Sequence, residues 1–77
     1  MKIKYDPKAD AAYIYLSNKA YAYGKDLDNV RHIDYASDGT IIGVELLCLK
    51  KGVNFDNLPE QSKIIKLLEQ KNIKVYA

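Results

Sequence analysis

The dipeptide Asp38-Gly39 stands between two β-rich arms, Val30–Tyr35 and Thr40–Leu47, and constrains this fold more than any other stretch. Asp-Gly tolerates the positive φ angles of a type I′ turn, so two alternating arms around it read as a β-hairpin. With Asp38 and Gly39 as the whole loop, Ser37 pairs with Thr40, and opposed residues share a face. One face then takes Tyr35 with Ile42, Ile33 with Val44, and Arg31 with Leu46. The other takes Asp34 with Gly43, His32 with Glu45, and Val30 with Leu47. This register separates an apolar stripe from a mostly polar one. A three-residue loop would mix the two sets unless a bulge restored the phase.

Upstream, Met1, Ile3 and Tyr5 alternate with Lys2 and Lys4, the pattern of a strand with one wet face. Asp6-Pro7 opens a turn, because Asp suits its first position and Pro pre-sets φ at the second. A loop of Pro7 to Asp10 sets Ile3 against Ile14 on the dry side, and Lys4 against Tyr13 and Lys2 against Tyr15 on the wet side. After Ser17-Asn18-Lys19, Ala20 to Tyr23 alternates briefly and stops at Gly24, which predicts a weak edge strand reaching towards Leu27.

Beyond Leu49 the period changes. Asn57 as N-cap, Pro59 in the first turn and Glu60 completing a capping box open a helix. Leu58, Ile64, Ile65, Leu67 and Leu68 form its apolar stripe. Asn72 suits the left-handed position after the helix, with Ile73 touching Leu68 in a Schellman ending. Ile73 to Tyr76 reads as a short last strand returning to the sheet.

The expected fold is α+β in one domain, residues 1–77: an antiparallel sheet of four to five strands (about 2–6, 11–17, 20–27, 30–36 and 40–48), one helix (58–71) on one face, and a short strand at 73–76. A chain this small buries only about 60 % of its unfolded surface, which leaves room for dimerisation. The net charge of +2 is too mild to name a partner. Residues 48–77 carry six bases and three acids, a modestly basic tail and not a nucleic-acid patch. No apolar run is long enough to span a bilayer, and with none behind Met1-Lys2-Ile3-Lys4-Tyr5 a secretory signal is not expected. The single cysteine, Cys48, fits a reducing cytosol.

The segment Tyr5-Asp6-Pro7-Lys8-Ala9-Asp10-Ala11-Ala12-Tyr13-Ile14-Tyr15-Leu16-Ser17, followed by Asp34-Tyr35, Asp38-Gly39 and Ile42-Gly43-Val44-Glu45-Leu46, resembles the small prokaryotic family called domain of unknown function 2283. The resemblance covers residues 1–48 and leaves out the helical tail. It implies a small cytoplasmic protein without an established activity, and for some members encoded beside small toxin-like proteins an antitoxin role. It supplies no catalytic or ligand residues. Arg31 and His32 depart from the small or apolar residues usual there, and Ala36-Ser37 stands where acidic residues are common.

Catalytic patterns are absent. Asp6, Asp10, Asp34, Asp38 and Glu45 match no metal loop, and turn chemistry with a Glu45–His32 pair accounts for them. Cys48 falls in phase with the buried residues Val44 and Leu46, away from His32, so the two do not form a nucleophile pair. No cofactor or metal is expected, and the chain reads as no enzyme.

Tyrosine stands out instead: seven residues, against one Phe and no Trp. Cross-strand pairing, with the rings covered by lysine stems, is the plain explanation. A contact surface is the functional one, since tyrosine offers a large area with a polar tip. Tyr13, Tyr15, Tyr21, Tyr23, Lys2 and Lys4 are its candidate residues. The expected role is a protein-interaction module, either a homodimer or an antitoxin-like partner of a small protein. The alternative is single-stranded nucleic acid stacked on the Tyr/Lys face, aided by Lys63, Lys66 and Lys71. A third reading centres an enzyme or metal site on His32 and Glu45.

Overall fold

The computed structural model describes all residues, Met1 to Ala77. Five strands form one antiparallel sheet: β1 (Lys2–Asp6), β2 (Ala11–Tyr15), β3 (Tyr23–Asp26), β4 (Arg31–Tyr35) and β5 (Ile41–Leu47), in the spatial order β1-β2-β5-β4-β3. A 3-10 turn at Leu49–Lys51 leads to β6 (Val53–Asn54), helix α1 (Gln61–Gln70) and β7 (Val75–Tyr76). No helix is long and apolar enough to cross a membrane.

The first hairpin has the expected loop. Asp6 pairs with Ala11, Ile3 with Ile14, Lys4 with Tyr13 and Lys2 with Tyr15. The Asp6 carboxylate accepts from the N–H groups of Lys8 and Ala9, which is why Asp precedes Pro7 here. Asp10 has φ 55° and ends the loop, and its carboxylate accepts the Lys50 N–H at 3.1 Å, pinning the 3-10 turn to the hairpin.

The second hairpin keeps the expected register away from its tip: Arg31 opposes Leu46, His32 opposes Glu45, Ile33 opposes Val44 and Asp34 opposes Gly43. The turn itself differs from the expected type I′ form. Its loop has three residues, Ser37 to Gly39, closed by Ala36 N–H to Thr40 C=O at 2.8 Å. Only Gly39 takes positive φ, at 86°, and Asp38 instead turns its carboxylate onto the Thr40 N–H. The extra residue is absorbed by a bulge between Asp34 and Tyr35, so that Ile41, and not Ile42, opposes Tyr35. The Ile42 carbonyl accepts from both Leu16 and Ser17, which ends β2 at Tyr15, two residues before the expected limit.

The edge strand is shorter than the expected 20–27. It starts at Tyr23, because its partner β4 ends at Tyr35, and closes after Asp26, where Leu27 and Asp28 turn onto the Arg31 carbonyl.

Ile14, Ile33, Val44 and Leu46 form the dry face and pack with Leu49, Val53, Leu58, Ile64, Leu68 and Ile73 in one cluster. Helix α1 supplies Ile64 and Leu68, both fully enclosed. It begins three residues later than the expected 58–71. Leu58 precedes a proline, which disfavours helical backbone there, and both Asn57 and Glu60 are left-handed. Leu58 therefore enters the core from a turn, its N–H on the Phe55 carbonyl. The end follows the Schellman pattern: Asn72 has φ 59°, Ile73 N–H bonds Leu68 C=O, and Asn72 N–H bonds Glu69 C=O.

The last strand exists but does not rejoin the main sheet. β7 pairs parallel with β6, Val53 to Val75 and Asn54 to Tyr76, with α1 as the crossover that parallel pairing requires. Arg31 locks this unit to the sheet. It projects from the dry face, is 7 % exposed, and donates to the Asp28 carboxylate and to the carbonyls of Asn54 and Asp56. The expected buried position of Cys48 is also corrected. The strand ends at Leu47, Cys48 turns left-handed at φ 55° with its thiol exposed, and Leu49 takes the core place.

Candidate functional site

The face of the sheet opposite α1 has no covering element, and strand register orders it into rows. Lys4, Tyr13, Glu45, His32 and Asp26 form one row across the five strands. Lys2, Tyr15, Gly43, Asp34 and Gly24 form the next. Asp6, Ala11, Leu47 and Val30 flank them, the last joined through Leu47 N–H to the Val30 carbonyl.

Two of these positions are glycine because neighbouring rings lie over them. A Cβ on Gly43 would overlap the Tyr13 phenol, and one on Gly24 would overlap the His32 imidazole. Over these bare floors the polar groups join into one network. Tyr13 Oη donates to Asp34 Oδ2 at 2.7 Å. Asp34 Oδ1 lies 3.0 Å from His32 Nε2, and Asp26 Oδ1 lies 2.6 Å from His32 Nδ1.

The electrostatics follow from this geometry. The hydrogen bond to Asp26, reinforced by Asp34, raises the His32 pKa above its usual 6.5, although partial burial opposes it. An imidazolium donates from both ring nitrogens and so satisfies both carboxylates. Burial first, then the bond to the Asp34 carboxylate, pushes the Tyr13 phenol well above its ordinary 10. Both imidazole nitrogens are engaged, so Tyr13, Asp34, His32 and Asp26 form one continuous chain of hydrogen bonds across the face. Asp26 and Asp34 bind opposite ends of one ring and cannot converge on a cation. No group of three or more His, Cys, Asp or Glu side chains in the chain is placed to hold a metal ion.

The six tyrosine and lysine candidates divide between places. Tyr13 and Tyr15 share the open face with Lys2 and Lys4, their rings meeting edge to face at 4.8 Å. The Lys2 ammonium lies 5.9 Å from the Tyr15 ring centre. Tyr23 belongs to the other face, stacked on Tyr35 at 5.0 Å, and Tyr21 precedes β3 in an exposed segment. Period-two alternation finds the phase within a strand but not which face of the sheet an isolated strand contributes to. His32 opposes Glu45 in register, yet its hydrogen bonds go to Asp26 and Asp34. The sequence reading missed that pair. Its one local signal is the matching spacing of Gly24-Lys25-Asp26 and His32-Ile33-Asp34, which aligns once β3 is paired with β4.

No curated protein and no solved structure is significantly similar to the chain. Residues 2–49, the whole five-stranded sheet up to the first residue of the 3-10 turn, match the family described as "Protein of unknown function (DUF2283)". The five-stranded sheet with its polar, glycine-floored face therefore lies within the matched segment, and the chain belongs to the DUF2283 family.

Proposed function

We propose that this chain is a non-enzymatic protein-interaction module that uses the uncovered sheet face as its contact surface. The observation that carries this reading is the internal pairing on that face: Tyr13, Asp34, His32 and Asp26 are hydrogen-bonded to one another, while Lys2, Lys4, Glu45 and the outer side of Asp26 are left to meet a partner. A face fixed in this way is preorganised for contact, since binding costs little further ordering. Tyr15 and Leu47, each more than a third exposed, supply the apolar area. The partner is a second copy or a small protein of the toxin-like kind found beside some family members. The setting is a reducing compartment, where the exposed Cys48 thiol stays free.

Single-stranded nucleic acid fits less well. Lys2 and Lys4 share the open face with Asp26, Asp34 and Glu45, so a phosphate backbone crossing it would meet carboxylates from β5 to β3.

The test compares baits. The wild-type chain and a Tyr15→Glu/Leu47→Glu variant are assayed for complex formation with themselves and with host proteins, alongside a helix-face Lys63→Glu/Lys66→Glu control. Complexes lost only in the open-face variant are expected. Complexes retained by it, or none from any bait, overturn the reading.

A further inference from the structure

Charge runs across the open face from edge to edge. Lys2 and Lys4 stand on β1 at one edge of the sheet, and Asp26 stands on β3 at the other, beside Asp34 on β4. The middle strand β5 presents Gly43, Glu45 and Leu47. We propose that this face docks on the same face of a second copy of the chain, about a two-fold axis running parallel to the strands. The proposal rests on the interaction reading above and names the partner.

The axis follows from the charges. A two-fold axis along the strands reverses strand order, so β1 lies over β3 of the second copy, β2 over β4, and β5 over itself. Lys4 then meets Asp26 of the second copy, Tyr15 meets Asp34, and Leu47 meets its own equivalent. An axis across the strands would put β1 over β1 and β3 over β3, lysine on lysine and aspartate on aspartate, which is repulsive at both rims. The selected arrangement leaves an unfavourable contact at Glu45, near its equivalent on the axis; Asp6, also at the β1 rim, turns its carboxylate onto the Lys8 and Ala9 N–H groups.

The area sets the strength. Five strands about 4.8 Å apart and five residues of about 3.3 Å each give a flat footprint of about 400 Å² per copy. The pair buries about 800 Å² before side-chain relief is counted, below the usual range for stable complexes, so a dissociation constant on the order of 100 μM is expected.

Sedimentation equilibrium of the full chain from about 10 μM to about 1 mM spans that range. The wild type is expected to dimerise within it. Lys4→Glu alone and Asp26→Lys alone each place like charges at both rims and are expected to weaken the dimer about tenfold or more. Mixed in equal amounts, the two variants restore opposite charges at both rims, the reversed pair at one and the native Lys4–Asp26 pair at the other. The mixture is therefore expected to dimerise where neither variant does. Glu45→Gln is expected to tighten the wild-type dimer.

Thermal melts verify that each variant is folded. Concentration-dependent amide shifts in the wild type are read independently of any variant, and are expected at Tyr15, Gly24 and Leu47 and not along α1. A monomeric wild type at about 1 mM, rim variants that dimerise like wild type, or a mixture that stays monomeric overturns the second-copy proposal. If the wild type is monomeric but an open-face-dependent complex with another protein persists, this proposal falls and the interaction reading stands.

Discussion

Replacing Gly43 by alanine tests the open-face network at its narrowest point. The added methyl group would overlap the Tyr13 ring and hydroxyl, so the phenol must swing away and release its 2.7 Å bond to Asp34. A hydrogen bond to a charged acceptor contributes about 1.5–3 kcal/mol, of which part returns as Asp34, 18 % exposed at its side chain, recovers water. Alanine in place of glycine within a strand regains about 0.5–1 kcal/mol of backbone entropy. The balance is a loss of about 1–2 kcal/mol, or about 5–10 °C in melting temperature for a domain of this size. Thermal and urea unfolding give the number, and ultraviolet titration of the phenol gives its cause, because a released Tyr13 should ionise nearer to 10. The same substitution in a Tyr13→Ala background is relieved of the phenol it would strike and should be neutral or stabilising. Gly43→Ala that costs nothing in the wild type, or costs the same in both backgrounds, would refute the reasoning.

Three further outcomes are expected. Asp26 and Asp34 raise the pKa of His32, so its contribution to stability is present below pH 6.5 and lost as pH rises through the raised native value. Imidazole proton shifts should show that raised value, and Asp26→Asn should lower it. Arg31→Met should destabilise by about 2–4 kcal/mol, because two carbonyls, those of Asn54 and Asp56, and the Asp28 carboxylate lose their donor together. Amide exchange should then accelerate first in the β6–β7 pair. Cys48→Gly should be neutral or stabilising by up to about 1 kcal/mol in urea unfolding, since residue 48 is exposed with φ 55°; a core thiol would cost stability on the same change.

The parts of the fold legible in the sequence are those where one period governs. The register of Lys2–Tyr15 and of Arg31–Leu46 follows from apolar alternation, because a slip by one residue would wet the whole Ile3, Ile14, Ile33, Val44 row. The Schellman end at Asn72 is legible for a similar reason, since a left-handed residue before an apolar one is locally encoded. The three-residue turn is not, because Asp38 is held in it by Thr40 and by Lys19, and Lys19 is distant in sequence. Nor is the site. Asp26, His32 and Asp34 come together only when β3 pairs with β4, and that pairing brings in a four-residue edge strand with little apolar signal of its own.

The family match and the fold divide the molecule at the same place. Residues 2–49 make the sheet, and residues 50–77 make its cover. A sheet with Ile14, Ile33, Val44 and Leu46 on one face cannot stay single in water, so the Val53–Tyr76 unit is obligatory for the dry side. The opposite face has no such requirement: its polar groups are mutually bonded, and its glycines at 24 and 43 serve the rings above them and not the core. Gly24 and Gly43 cost backbone entropy on folding. The hydrogen-bonded Tyr13 and His32 rings lie over these two positions, where any side chain would displace them, and a level face is what the proposed contact surface requires.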